Sequence, residues 1–215
     1  MSSEPAIPPR IRRPLLLVIS APSGAGKSTL CRGLREAYPA LRASVSCTTR
    51  LPRGQETDGR DYRFLSAAEF ERRVRAGAFL EWAEVHAHRY GTLRATVAEA
   101  LQAGQDIVLA IDVQGAAQIR RAVRAAPSGD LLRRGFVDIF VAPPSMEVLR
   151  RRLEARGEDD PAAIARRLAN AADELGQWRN YRYLVVNDRL DEAVAEMRGI
   201  VAAEHCRVEE DGAGS

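Results

Sequence analysis

Lysine is almost absent from this sequence. Of the 32 basic residues in 215, Lys27 alone is lysine and the rest are arginine. A chain that uses arginine everywhere else singles out that one position for chemistry. Cysteine is scarce as well. Cys31, Cys47 and Cys206 are too few and too scattered for a disulfide or zinc framework, so a reducing cytoplasm is the expected setting. No apolar run approaches the ~20 residues that cross a bilayer. The longest, residues 15–19, is strand-sized, and the arginines before it lead into no signal-peptide apolar region. The net charge of +3 and pI near 9.0 are too mild to imply nucleic-acid binding. What is present is ordinary: 46% hydrophobic and 28% charged residues, enough for a real core and against a largely disordered chain. The length fits one compact domain carrying an inserted lobe.

The pattern along the chain alternates strand and helix. Residues 1–14 are Pro- and Arg-rich without periodicity and are expected to form a flexible arm, as are residues 207–215 at the other end. Residues 15–20 form an apolar strand, and 27–38 have helical spacing stopped by Pro39. From residue 44 to about 85 the pattern turns mixed. Val45 and residues 62–65 look like strands, Ser66 and Glu69 have capping-box spacing for a helix to Gly77, and residues 79–85 form another strand. After Gly91 the alternation resumes. Helices span 92–101, 114–124, 145–156, 161–178 and 191–206, and strands span 106–112, 137–141 and 183–186, with a polar loop around Pro127. Such alternation predicts an α/β fold with a parallel sheet covered on both faces.

The sharpest motif is Ala21-Pro22-Ser23-Gly24-Ala25-Gly26-Lys27-Ser28, followed by Thr29. It satisfies the phosphate-loop pattern except that Ala21 stands at the first glycine. A strand ends in a loop whose amides point inward, and a helix N-terminus follows, so backbone donors and the helix dipole hold a triphosphate. Lys27 would bridge the β- and γ-phosphates of ATP, and the Ser28 hydroxyl would ligate Mg²⁺. The run 107–112 resembles the second nucleotide motif, an apolar strand delivering Asp112 beside the metal through water. Asp112 can equally cap the next helix.

Further motifs, all in order, make the chain resemble the guanylate kinase family across residues 15–206. They are Ser44-Val45-Ser46-Cys47-Thr48-Thr49-Arg50-Leu51-Pro52-Arg53, then Glu56, Gly59, Asp61 and Tyr62, then Phe79-Leu80-Glu81-Trp82-Ala83-Glu84. Tyr90-Gly91-Thr92, Ile111-Asp112-Val113-Gln114-Gly115 and Pro143-Pro144-Ser145 complete the set. The resemblance implies a phosphate-loop NTPase core of three layers (15–43 and 95–206). It adds an inserted α+β acceptor lobe (about 44–94) and a short helical lid (about 152–168). It implies transfer of the γ-phosphoryl group of MgATP to GMP, with dGMP as a second acceptor. Arg50, Arg53, Tyr62 and Tyr90 would hold the acceptor phosphate, guanidinium forks suiting a dianion. Glu81 would accept from guanine N1–H and its exocyclic amine, with Ser46 and Thr92 reaching O6 and Asp112 assisting. Arg152, Arg156 and Arg167 would close over the transferring phosphoryl group.

Four departures from the family pattern stand out: Ala110 in place of a usual Asp, Arg89 in place of a tyrosine, the shifted Gly54, and a longer connection over 125–136. His86 and His88 read as loop residues, Trp82 and Trp178 as packing residues, and Cys47 as a small buried residue. Two rivals share the fold: a kinase of phosphorylated sugars, lacking the Ser46, Glu81 and Thr92 set, and a non-catalytic module that binds phosphopeptides. Neither nucleic acid nor membrane is expected as a partner, and the sequence sets no oligomeric state.

Overall fold

The computed structural model describes residues 12–85, 87–155 and 160–208. Strand β1 (Leu16–Ser20) is buried at every position, because helices cover both of its faces. Leu15, Leu17 and Ile19 pack with Leu30, Cys31 and Leu34 of α1 (Lys27–Ala37) and with Met197 and Val201 of α8 (Leu190–Cys206). Leu16 and Val18 point the other way, onto α3 (Arg94–Gln102) and α4 (Val113–Ala125) through Val97 and Ile119. The remaining strands of this sheet are β2 (Arg42–Ala43), β7 (Ile107–Ala110), β8 (Phe136–Ala142) and β9 (Tyr183–Val186). All pair in parallel, in the order β2-β7-β1-β8-β9. Because every strand runs the same way, the loops after β1 and β7 open together at the carboxyl edge, where open α/β sheets bind their ligands.

A second sheet has the order β4-β3-β6-β5, formed by β3 (Cys47–Thr48), β4 (Arg63–Phe64), β5 (Phe79–Val85) and β6 (His88–Leu93). Helix α2 (Ala67–Arg75) covers it through Phe70, which stacks on Phe79. The Ser66 hydroxyl accepts from the Glu69 amide as the capping spacing predicts, while the Glu69 carboxylate turns forward to Arg73 and Arg72. Val45, expected in a strand, lies between the two sheets. The Ser44 amide still donates to Val108 of the parallel sheet, whereas the Ser46 carbonyl already accepts from Arg63 of the second. The chain changes sheets at Val45, so neither ladder claims it.

Three other expectations shift. Strand β7 ends at Ala110, and Asp112 caps α4 by accepting from the Gly115 amide at 2.8 Å. The connection over 125–136 contains a short helix, α5 (Leu131–Arg134), started by Asp130 and seated on the core through Leu131 and Leu132. Arg12 and Arg13, expected in a flexible arm, are tied down: Arg12 to Asp106 at 2.9 Å and Arg13 to the buried Glu204 at 2.6 Å. The expectations for residues 1–11, His86 and residues 209–215 lie outside the described residues.

Helices α6 (Met146–Glu154) and α7 (Pro161–Leu175) pack through Leu149, Leu153, Leu168 and Ala171. Ser145 caps the first helix and Asp160 the second, with Pro161 in its first turn. Helix α7 stops at Leu175, and Trp178–Asn180 forms a separate 3-10 turn.

Candidate active site

The phosphate loop is shaped by two glycines at φ +92°, Gly24 and Gly26, a conformation that side-chain-bearing residues rarely adopt. Contact enforces the same choice. A Cβ on Gly26 would lie 2.2 Å from Asn187 Nδ2, and one on Gly24 would lie 2.9 Å from both Leu149 and Leu153. Asn187 earns that position by donating to the Ala25 carbonyl at 2.7 Å, which braces the loop from the end of β9. Helix α1 then begins with no side-chain cap and no acidic residue in its first turn. Its leading amides and positive dipole end are left for an anion.

These elements line a cleft of about 510 Å³. Ala21, Pro22, Ser23, Gly24, Gly26, Lys27, Ser28 and Thr29 form one wall, facing Glu84, Val85, Asp112, Gln114, Arg167, Asn170 and Glu174. Ala25 is the exception in the expected loop, since its side chain is fully buried in the core and it meets the site only through its backbone. Lys27 Nζ donates to the Ile111 carbonyl at 2.6 Å. Burial lowers the pKa of this ammonium, opposed by Cys31 and by the carboxylates of Asp112, Glu174 and Glu81.

A second cleft of about 180 Å³ opens beside the first, lined by Ser46, Tyr62, Glu81, Ala83, Tyr90, Gly91, Ala110 and Ile111. Lys27, Val85 and Asp112 line both clefts. Glu81 is buried, and burial raises its pKa to about 7 despite a 2.6 Å hydrogen bond donated by the Thr92 hydroxyl. The two are cross-strand partners on β5 and β6, which explains the pairing. Thr92 therefore reaches the site by orienting Glu81 and does not line the cleft. Gly115 completes the arrangement, because a Cβ there would lie 2.6 Å from Glu81 Oε2.

The expected phosphate clamp is partly assembled. Arg50 is buried and lies over the Tyr62 ring at 5.2 Å, and Tyr62 meets Tyr90 edge-on. Both of its terminal nitrogens are held by Glu56, at 2.8 and 2.9 Å, and the Arg53 amide donates to the same carboxylate. These bonds, Arg50 first, hold Glu56 down at about 2. The Arg53 side chain itself is exposed and outside the cleft. Arg167 faces the larger cleft. Arg152 does not: one of its terminal nitrogens donates to the Asp188 carbonyl at 3.3 Å. Arg156 lies outside the described residues.

Two departures from the family pattern acquire places. Ala110 lines the smaller cleft, whereas Arg89 points away from it, to Glu71 at 2.7 Å and over Trp82. Sequence reasoning missed Glu56 as the partner of Arg50, Asn187 as the brace of the loop, and Asn170 and Glu174 as cleft residues. The last two carried a signal: with Arg167 they recur at i, i+3 and i+7 on one helix face.

Comparison with known proteins agrees with this geometry. The family model described as guanylate kinase matches residues 12–204. A guanylate kinase of Symbiobacterium thermophilum is 48% identical over 199 residues, 93% of this chain and 90% of its own length. One of Geobacter sulfurreducens is 47% identical over 196 residues, covering 91% of this chain and 92% of the relative. The crystal structure of a guanylate kinase from Anaplasma phagocytophilum superposes with a TM-score of 0.70 at 31% identity, over 92% of this chain and 89% of that one. The chain belongs to the guanylate kinase family.

Proposed function

We propose that this chain transfers the γ-phosphoryl group of ATP to GMP, and to dGMP, with the larger cleft holding the donor and the smaller one the acceptor. The observation that carries this reading is that Lys27 and Asp112 line both clefts, so two bound phosphates would meet at one lysine. An oxygen of the GMP phosphate attacks the γ-phosphorus while the bond to the β-bridging oxygen breaks, releasing ADP. The attacking dianion needs no general base, so the protein contributes position and charge. Lys27 would leave the Ile111 carbonyl for the phosphates, and Arg167, with Arg152 and Arg156 on closure, would neutralise the transferring group.

On the acceptor side, Glu81 would accept from guanine N1–H and its amine, held in register by Thr92, while Ser46 would serve O6. Adenine presents a lone pair where guanine presents N1–H, and an unpaired buried carboxylate discriminates strongly. Arg50, Tyr62 and Tyr90 would hold the phosphate, with Arg53 joining as residues 44–94 close over the core and residues 152–168 act as the lid. The donor set fits Mg²⁺: Ser28 and Asp112 bring hard oxygens to the same cleft and leave the other positions to phosphate oxygens and water. Bound there, the ion supplies charge neutralisation at the β- and γ-phosphates. Three free cysteines support a reducing, cytoplasmic setting. Among the described residues no helix is long and apolar enough to cross a membrane.

The test is initial ADP formation from MgATP with GMP, dGMP, AMP, CMP and UMP as separate acceptors. A GMP-dominated response is expected. Lys27→Ala should lower kcat by about 10²-fold or more while GMP still binds. Equal rates with all five acceptors would remove the base pocket, and an active Lys27→Ala would remove the lysine.

A further inference from the structure

Strand β5 ends its sheet, and an edge strand presents N–H and C=O groups that no further strand takes up. At Trp82 a single side chain fills that place. The Trp82 N–H donates to Gln118 Oε1 at 3.2 Å, and Gln118 Nε2 donates to the Trp82 carbonyl at 2.6 Å. Both ends of one carboxamide thus meet the backbone of one residue, making the pair of bonds that a neighbouring strand would make. The partners fix which way the amide faces, since an N–H needs an acceptor and a carbonyl needs a donor.

Gln118 stands on α4, whose inner face is anchored: Ala116, Ile119 and Val123 are buried in the core beneath the parallel sheet. The amide therefore ties the second sheet to the core at the residue next to Glu81. Gly115 lies one turn earlier on α4, where the missing Cβ leaves room for the Glu81 carboxylate. Thr92 holds that carboxylate from β6, but β5 and β6 belong to one sheet and move together. Leu80 packs in the same core as α4, yet apolar contact is non-directional and sets no orientation about the strand. We propose that Gln118 is a positioning residue for base recognition, which closes the outer edge of β5 at Trp82 and so sets the angle at which Glu81 meets guanine. Two donors side by side demand both carboxylate oxygens in the plane of the base, so a small rotation of β5 loses one bond and keeps the other. The inference rests on the proposed role of Glu81 in base recognition.

The experiment compares kcat/KM for GMP and for inosine monophosphate, which keeps N1–H and lacks the exocyclic amine. Their ratio reads the second hydrogen bond to the base. Gln118→Met keeps the length and helix propensity of the side chain but makes neither bond to Trp82. It should lower the ratio about tenfold, the worth of one charge-assisted hydrogen bond, through KM for GMP and with KM for ATP unchanged. A loss of stability alone would leave the ratio intact. In a Glu81→Gln background the same substitution should lower the ratio no further. An unchanged ratio in Gln118→Met, or equal losses in both backgrounds, overturns the proposal alone. A Glu81→Gln protein that keeps the full ratio removes the base-recognition reading, and the proposal with it. If Gln118→Met does not fold, hydrogen exchange on the unaltered protein decides. The Trp82 amide should be protected by Gln118, and exchange at the unprotected rate overturns the proposal.

Discussion

At Glu81, one carboxyl group would carry both the proposed specificity and a pH dependence. Burial has raised its pKa from 4.5 to about 7, so in the unliganded protein the protonated form of Glu81 competes with the anion near neutrality. Guanine N1–H and the exocyclic amine both donate, so they require the anion. The apparent KM for GMP should therefore rise as pH falls below about 7, approaching tenfold per unit. Glu81→Gln should weaken GMP throughout and flatten this dependence. The phosphate of GMP titrates identically against both proteins, so the difference between the two kcat/KM profiles isolates Glu81. Parallel profiles would take Glu81 out of base recognition. The stability linkage runs in the opposite sense to an ordinary paired carboxylate. A folded-state pKa above the unfolded one contributes stability that is full below pH 4.5 and gone above about 7. Binding GMP counters that loss.

Helix α6 matters as a buttress. Leu153 is fully buried, joins α6 to α7, and touches the phosphate loop at Gly24. Leu153→Ala should cost about 2–5 kcal/mol in denaturant unfolding. It should also raise KM for ATP more than KM for GMP, because the cavity opens behind the donor loop. A loss of stability with an unchanged ATP KM would show that the loop needs no support from α6. Local sequence made much of this legible: the strand, glycine loop and helix of residues 15–38 were readable because each signal is adjacent to the next. Illegible features depend on distant partners. Asn187 lies 162 residues from Ala25, yet its contact reinforces the demand that backbone conformation makes for glycine at position 26. Glu56 reads as one acid in a polar loop until Arg50 is seen buried against it. Val45 has strand propensity, but no sheet reaches it.

Across the whole molecule, two sheets meet at one lysine. On the proposed reading donor and acceptor would occupy separate clefts, but Lys27, Val85 and Asp112 line both. Ligands on such shared walls should couple. At a hundred times its Kd, each ligand alone stabilises the fold by about 2.7 kcal/mol. With GMP and a non-hydrolysable ATP analogue together, the rise in melting temperature should exceed the sum of the separate rises. Strict additivity would mean that the clefts act independently.

The solitary lysine has a practical side. Its Nζ is the chain's one side-chain amine, and it lies where both substrates would meet. Acylating reagents that scatter over a dozen surface sites on most proteins have a single internal target here. Mass spectrometry of the acylated peptide would then count occupied sites directly. Conversely, a preparation stored with amine-reactive fixatives or cyanate-bearing urea would lose activity in proportion to modification at this one lysine.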